Sequence, residues 1–122
     1  MAWKFKPGLP IVPQITDRLR TEIISGVYPS GEPFPTVRTL AAEAAVNPNT
    51  MQRALSQLES EGLLVTFGTS GRCVTDAPEK IVLAKELTVS RFTDKYIKEA
   101  KALGLTREEL SERIMKGWSE NE

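Results

Sequence analysis

The fold is decided by residues 47–59, whose sequence is NPNTMQRALSQLE. Asn47 is of the residue class that accepts a hydrogen bond from a free amide at a helix start. Pro48 fits the first helical position, where its missing N–H costs nothing. Three apolar side chains recur at spacings of four and three and form one stripe, namely Met51, Leu55 and Leu58. The stretch therefore predicts a short amphipathic helix with a defined start.

The other side of this predicted helix is polar and carries Asn49, Gln52, Arg53 and Ser56. Asparagine, glutamine and arginine are the side chains that pair bidentately with base edges in the major groove of DNA. Two interpretations follow from the residues alone. The helix is either a recognition helix or an amphipathic helix with a solvated front.

Two further helices are predicted before this stretch. Apolar residues at helical spacing predict a helix over about residues 10–25, which Gly26 ends. Residues 27–35 contain three prolines and predict a rigid connector. Thr36 is then a predicted N-cap, and residues 37–45 form a short helix. A short helix, a brief turn and a second helix with a polar front are the pattern of a helix-turn-helix.

A β-hairpin is predicted directly after the helix-turn-helix. Residues 63–67 are apolar and partly β-branched, residues 68–71 are rich in turn formers, and residues 72–75 can return as the antiparallel strand. Such a hairpin after a recognition helix forms a wing. Cys73 is interpreted as a buried strand residue rather than a redox sensor.

The N-terminal residues 3–6 alternate apolar and basic side chains, so they form either a short edge strand or an ordered arm. Trp3, and Trp118 near the other end of the chain, are interpreted as core or interface anchors rather than as parts of a ligand cage.

Residues 77–122 predict a tail of two helices. The first covers about residues 79–103, and a capping box at 106–109 begins the second. Both helices have wide apolar faces, and the predicted interface side chains are Leu87, Phe92, Tyr96, Leu103, Leu110, Ile114 and Trp118. The tail is too short to enclose a core of its own. A second copy of the chain is the favoured cover, since a reader of palindromic DNA also needs two-fold symmetry; the alternative is that the tail folds back onto the first domain.

Composition narrows the classes of function. The chain of 122 residues has 16 basic and 16 acidic side chains, so a DNA-binding role requires locally placed charge rather than a general positive field. One cysteine and no histidine exclude an intrachain disulfide, a Cys/His zinc site within one subunit and histidine-based acid–base catalysis. No metal or cofactor is expected. The sequence lacks a signal peptide and an apolar run that spans a membrane, which predicts a cytoplasmic protein.

At the level of the whole pattern, the sequence resembles the winged helix-turn-helix of GntR-family bacterial transcriptional regulators. The resemblance covers about residues 10–75, and the short two-helix tail is similar to that of the YtrA subfamily. It is carried by Pro13-Gln14-Ile15, Gly26, Gly31, Phe34-Pro35-Thr36-Val37-Arg38, Leu40-Ala41, Val46-Asn47-Pro48-Asn49-Thr50, Ala54-Leu55, Leu58-Glu59, Glu61-Gly62-Leu63 and Gly71.

The resemblance implies roles for residues of both helices. Arg38 would contact DNA at a guanine or at the backbone, and Thr36 would contact a phosphate. The positions that face DNA on the second helix are Asn47, Pro48, Asn49, Thr50 and Gln52, with Arg53 next to them. Capping alone also explains Thr36 and Asn47, and both roles are compatible.

In the wing, the family has a Gly-x-Gly tip that enters the minor groove. Gly71 keeps one of these glycines, whereas Thr69 replaces the other. Arg72 would lie along the minor groove or hold a phosphate.

The sequence thus predicts a mostly α-helical protein with a small β-hairpin. Its winged helix-turn-helix DNA-binding domain is residues 1–76, and its helical dimerisation and effector tail is residues 77–122. The predicted function is a homodimeric repressor that binds an inverted repeat in double-stranded DNA and responds to an unidentified small molecule. The alternative is a winged helix used only for protein–protein contact. An enzyme is disfavoured, because the sequence has no nucleophile elbow and no phosphate-binding glycine loop.

Overall fold

The structure is a computed structural model that describes residues 2–68 and 71–121. Its elements in chain order are α1 (Ile11–Ile24), α2 (Val37–Ala44), α3 (Pro48–Ser60), β1 (Leu64–Thr66), β2 (Arg72–Val74), α4 (Pro78–Ala102) and α5 (Arg107–Glu120). The chain divides into two compact units, Met1–Lys85 and Glu86–Glu122. The start of α4 therefore belongs to the first unit, whereas the predicted domain boundary lies after residue 76.

The core of the first unit is built around α3, which packs against α1, α2 and β1. The apolar stripe predicted for α3 is fully buried, as is the inner face of α1. The core side chains are Ile15, Leu19, Ile23, Phe34, Leu40, Ala41, Ala44, Met51, Ala54, Leu55, Leu58, Leu63, Leu64 and Val74. Burial of a large aliphatic side chain stabilises a fold by about 1.5–3 kcal/mol. The first turns of α4 add Ile81 and Ala84, which pack half-buried against this core.

The ends of α2 and α3 have the predicted caps. The hydroxyl of Thr36 accepts a hydrogen bond from the backbone N–H of Thr39 at 3.1 Å. The side-chain oxygen of Asn47 accepts one from the backbone N–H of Asn49 at 2.8 Å. Between the two helices the chain turns at Ala45, whose φ of 59° is left-handed and unfavourable for a residue with a Cβ atom. These caps and this turn set the directions of the two helices.

The hairpin is antiparallel and pairs Leu64 with Val74, Val65 with Cys73 and Thr66 with Arg72. Residue Cys73 lies in the predicted strand but is half-buried rather than buried, since the side chain of the next residue, Val74, takes the core face. The proline-rich connector lies along β2, where Pro33 forms an isolated bridge with Cys73. The connector thus ties the wing to the start of α2.

The N-terminal residues form an arm, because no strand is found in residues 2–10. The side chain of Gln14 holds this arm by accepting from the Lys6 N–H at 2.8 Å and donating to the Lys6 carbonyl at 3.2 Å. Trp3 and Phe5 pack against the core, and the guanidinium of Arg18 lies 4.1 Å from the Trp3 ring centroid. Trp3 is therefore a core anchor.

The second unit consists of the rest of α4 and α5. The predicted capping box begins α5, with Thr106 accepting from the Glu109 N–H and the Glu109 carboxylate accepting from the Thr106 N–H. Among residues 86–121 only Ala100 is buried. Of the predicted interface side chains, Leu110 is half-buried and the others are exposed. Across the described residues, none of the helices combines the length and apolarity that a membrane span requires.

Candidate nucleic-acid interface

The front of α3 faces solvent over its first two turns. Asn47, Pro48, Asn49, Gln52 and Arg53 are exposed, whereas Thr50 is half-buried. The opposite face is the buried stripe, so these polar side chains do not serve the core. The front is therefore a surface that a partner can reach without unfolding the helix.

Two of these side chains are oriented by neighbours. The Asn47 oxygen caps the helix, which leaves its NH₂ group without a partner among the described residues. The Gln52 NH₂ group donates to the hydroxyl of Ser56 at 3.2 Å and so lies along the helix. Ser56 is a positioning residue for Gln52, a role that the sequence interpretation did not assign although the spacing of four signals it.

The start of α2 presents a second polar group of residues. The Thr36 hydroxyl also donates to the Thr39 hydroxyl at 3.0 Å, so the two threonines form one exposed pair. The sequence interpretation missed Thr39, which the spacing of three from an N-cap could have indicated. Arg38, between them, is exposed and makes no ion pair within residues 2–68 and 71–121.

The electrostatics of both helix starts favour an anion. Neither α2 nor α3 has an acidic residue in its first turn. The free amides and the positive end of the helix dipole are therefore not neutralised locally. Phosphate is an anion that such sites bind.

Most acidic side chains of residues 1–75 are paired within the first unit. Glu22 pairs with Arg18, Glu59 with Arg72, and both Asp17 and Glu61 with Arg20. Among the described residues of this stretch, two acidic side chains, Glu32 and Glu43, have no ion pair, and four basic side chains have none: Lys4, Lys6, Arg38 and Arg53. Within these described residues the side chains outside ion pairs therefore carry a net positive charge.

The Arg20 guanidinium is nearly buried and pairs with two carboxylates that are more exposed, Asp17 and Glu61. Its Nε and Nη2 donate to the two oxygens of Glu61 at 2.8 and 2.7 Å, and its Nη1 donates to Asp17 at 2.7 Å. The hydrogen bonds to Glu61 outweigh the effect of burial and raise the pKa of Arg20 above its ordinary value. The network fastens the C-terminal end of α3, where Glu61 is the C-cap, to α1.

At the wing, Gly71 is exposed and has a φ of 113°, which a residue with a Cβ atom rarely adopts. Thr69 lies outside the described residues. The Arg72 guanidinium pairs through its Nε with Glu59 of α3. The sequence interpretation missed this role of Glu59. The pairing links the wing to the C-terminal turn of the recognition helix.

Together, three packed helices, a two-stranded wing and a helix with an exposed polar front define a winged helix-turn-helix. The family model for bacterial regulatory proteins of the gntR family matches residues 12–74. The chain belongs to the GntR family.

Relatives and solved structures agree with this assignment over most of the chain. The HTH-type transcriptional regulator YhcF of Bacillus subtilis is 32% identical over 91% of this chain and 92% of YhcF. The HTH-type transcriptional repressor YtrA of the same organism is 29% identical over 89% of this chain and 85% of YtrA. A GntR family transcriptional regulator from Listeria monocytogenes superposes with a TM-score of 0.88 and 31% identity, covering 92% of this chain and 98% of that one.

A solved structure of another protein in complex with its operator also shares the fold over part of this chain. The structure of AraR(DBD) in complex with operator ORX1 has a TM-score of 0.55 and 24% identity, and it covers 62% of this chain and 95% of that one. At this identity the likeness concerns the fold.

Proposed function

We propose that this protein is a sequence-specific DNA-binding transcriptional regulator whose recognition helix is α3. The observation that carries the proposal is the exposed polar front of α3. In the same unit Arg38 and Arg53 have no ion pair among the described residues, and neither α2 nor α3 has an acidic residue in its first turn. This arrangement suits a major groove flanked by phosphates. Membership of the GntR family supports it.

The individual contacts divide into base readout and positioning. Asn49 and Gln52 read adenine, and Arg53 contacts guanine or phosphate. Arg38 contacts a guanine or the backbone. The remaining proposed contacts are made by Thr36, Asn47, Pro48, Thr50, Gly71 and Arg72.

The regulator acts as a homodimer in this proposal. The support is the exposed apolar face of the second unit, which includes Leu87, Phe92 and Trp118 and which costs free energy while water covers it. Two copies related by a two-fold axis bring two recognition helices about 34–36 Å apart, in successive major grooves. The operator is then an inverted repeat.

Regulation follows from the dimer. We propose repression in the cytoplasm, relieved by a small molecule that binds two dimer geometries with different affinity. The description of YtrA as a repressor supports the direction of control.

The test of DNA reading is selection of bound sequences from random DNA by the full chain. The expected product is an inverted repeat, with an affinity that falls as salt rises. On that operator Arg38→Ala should weaken binding by roughly tenfold, in line with a contact of about 1–3 kcal/mol. Arg107→Ala, in the exposed start of α5, removes the same charge outside the interface and should leave affinity unchanged.

The protein–protein alternative rests on the zero net charge of the chain. It predicts equally weak binding to all DNA sequences and no effect of Arg38→Ala. That pair of results would overturn the DNA-binding proposal.

The test of the dimer is a chain that ends after Lys85. This boundary keeps Ile81 and Ala84 on the core, which a cut after Asp76 removes. Sedimentation should find the shortened chain monomeric, with greatly reduced operator affinity. In the full chain, Phe92→Ser should also weaken dimerisation. A shortened chain that still dimerises and binds the operator as before would contradict the role of the tail.

A further inference from the structure

We infer that Glu59 is a positioning residue of the DNA-binding surface, because its carboxylate holds the Arg72 guanidinium in place for contact with DNA. The inference rests on the proposed function, in which Arg72 touches DNA from the wing. It gives a role to an acidic residue, whose negative charge would otherwise only repel the DNA phosphates.

The bridge joins two elements that carry different DNA contacts. Glu59 lies in the last turn of α3, and Arg72 begins β2 opposite Thr66. The Arg72 side chain is 16% exposed and that of Glu59 30% exposed, so solvent screens the pair only in part. The wing is therefore attached to the recognition helix by an ion pair as well as by the chain connection through Gly62 and Leu63.

The bridge leaves the outer donors of Arg72 available. Only its Nε bonds to Glu59, and its two terminal nitrogens have no hydrogen-bond partner among the described residues. The Arg72 side chain keeps 16% of its surface exposed, so a ligand can reach part of it. A guanidinium has five N–H donors in a planar fork, so one side can be fixed while the other binds a phosphate.

This arrangement lowers the cost of binding. Ordering one flexible side chain at an interface costs about 0.5–1.5 kcal/mol, and a side chain that is already held avoids part of that cost. A two-stranded hairpin is also marginally stable alone, so a bridge from its first β2 residue to α3 fixes its angle. Both effects raise the affinity for DNA through the contact made by Arg72, and Glu59 itself makes no contact with DNA.

The alternative role of Glu59 is simple repulsion. A carboxylate near DNA opposes the phosphates, and its removal then raises affinity for every sequence. Positioning predicts the opposite sign for a variant that loses the hydrogen-bond acceptor. The two roles are therefore distinguishable by the direction of the change.

The experiment compares Glu59→Ala with Glu59→Gln in the full chain, by fluorescence anisotropy on the selected operator. Glu59→Ala should weaken operator binding by about threefold to tenfold, the fold-change that corresponds to ordering one side chain. Glu59→Gln keeps an acceptor oxygen for the Arg72 Nε and should stay within about twofold of the wild type or bind more tightly, since it also removes a negative charge. Thermal unfolding sets a temperature at which all variants are folded.

A double-mutant cycle with Arg72→Ala separates positioning from structural support. In the Arg72→Ala background, Glu59→Ala should have no further effect, and Arg72→Ala should reduce the slope of log affinity against log salt by about one. A loss caused by Glu59→Ala that is as large without Arg72 as with it would overturn the inference. A rise in affinity with Glu59→Ala would overturn it as well.

The same measurements distinguish failure of the inference from failure of the proposed function. If Arg72→Ala has no effect while Arg38→Ala weakens operator binding, the inference is wrong and the DNA-binding proposal stands. If neither substitution weakens binding, the DNA-binding proposal itself fails.

Discussion

The two units of this chain use apolar residues in opposite ways. In the first unit the apolar faces of three helices and a hairpin bury one another, and Leu19, Met51 and Leu55 have no exposed surface. In the second unit two helices leave at least half of the surface of Leu87, Phe92 and Trp118 exposed. The periodicity of the apolar residues is helical in both. An amphipathic pattern thus predicts a helix, but the number of neighbouring elements decides whether its apolar face is covered.

Charged residues differ between the units in the same way. In the first unit the Arg20 side chain is nearly buried, and its ion pair with Glu61 joins positions far apart in the chain. In the second unit the ion pair among described residues is Arg107 with Glu108, adjacent and exposed by 89% and 73%. Exposed pairs contribute about 0–1 kcal/mol, whereas a buried pair becomes costly when one partner is removed. The first unit is therefore sensitive to substitutions that the second tolerates.

The largest contrast is expected from the core of the first unit. Leu55→Ala should lower the free energy of unfolding of this unit by about 2–5 kcal/mol, because it removes buried methyl groups and leaves a cavity. Phe92→Ala, in the second unit, should leave the unfolding of the first unchanged. Urea unfolding followed by Trp3 fluorescence in a Trp118→Phe background reports the first unit alone. Equal losses from both substitutions would contradict the contrast.

A smaller effect is expected from the Arg20 network. Arg20→Ala removes the shared partner of Asp17 and Glu61. We expect a loss of about 1–3 kcal/mol in the free energy of unfolding, because Arg20 is nearly buried whereas solvent screens the exposed Asp17. Arg107→Ala is the matched control in the second unit and should change it by less than about 0.5 kcal/mol. The comparison fails if the two arginines prove equally dispensable in chemical denaturation.

Two substitutions at left-handed backbone positions should change the stability of the two units by about 1 kcal/mol each, with opposite signs. Ala45→Gly should stabilise the first unit by about 0.5–1 kcal/mol, because relief of the left-handed conformation exceeds the entropy cost of glycine. Gly104→Ala, at a φ of 80° between α4 and α5, should destabilise the second unit by about 1 kcal/mol. Thermal unfolding of each variant measures the shift, and a stabilising Gly104→Ala would refute the argument from strain.

The smallest effect concerns Tyr28, which packs on Phe34 in the first unit with ring centroids 4.7 Å apart. Burial raises the pKa of Tyr28 above its ordinary value of 10.0, and the charges of Glu22 and Glu43 act in the same direction. The folded state therefore retains the phenol proton more tightly than the unfolded state. Its stabilising contribution is complete below about pH 10 and is lost as the pH rises above that value.

Tyr28→Phe should therefore reduce the loss of stability between pH 10 and the raised folded-state pKa of Tyr28. Urea midpoints measured across that range test the sign. A variant whose stability falls as steeply as that of the wild type would show that Tyr28 does not contribute.

Much of the local structure of both units could be predicted from residues that are neighbours in the sequence. The N-caps Thr36 and Asn47, the buried stripe of α3 and the capping box of α5 each depend on residues within four positions of one another. The same is true of the exposed helix front, whose contacts with DNA stay predictions. The proposed homodimer and effector stay predictions as well.

The long-range contacts could not be predicted in this way. Arg72 and Glu59 are separated by 13 positions, and Arg20 and Glu61 by 41. From the sequence alone, any acidic residue of the chain is a possible ion-pair partner for these two arginines. The positions of charged residues along the chain do not show which of them come close together in the fold. The net charge does not reveal this pairing either, because it counts paired and unpaired side chains alike.

By itself, the sequence determined the helices, their caps, the hairpin and the polar front of α3, because these depend on neighbours along the chain. Only the tertiary structure decided which charges are free, how the wing is held and which apolar faces are covered. Those properties depend on distances between elements, which exist once the chain has packed.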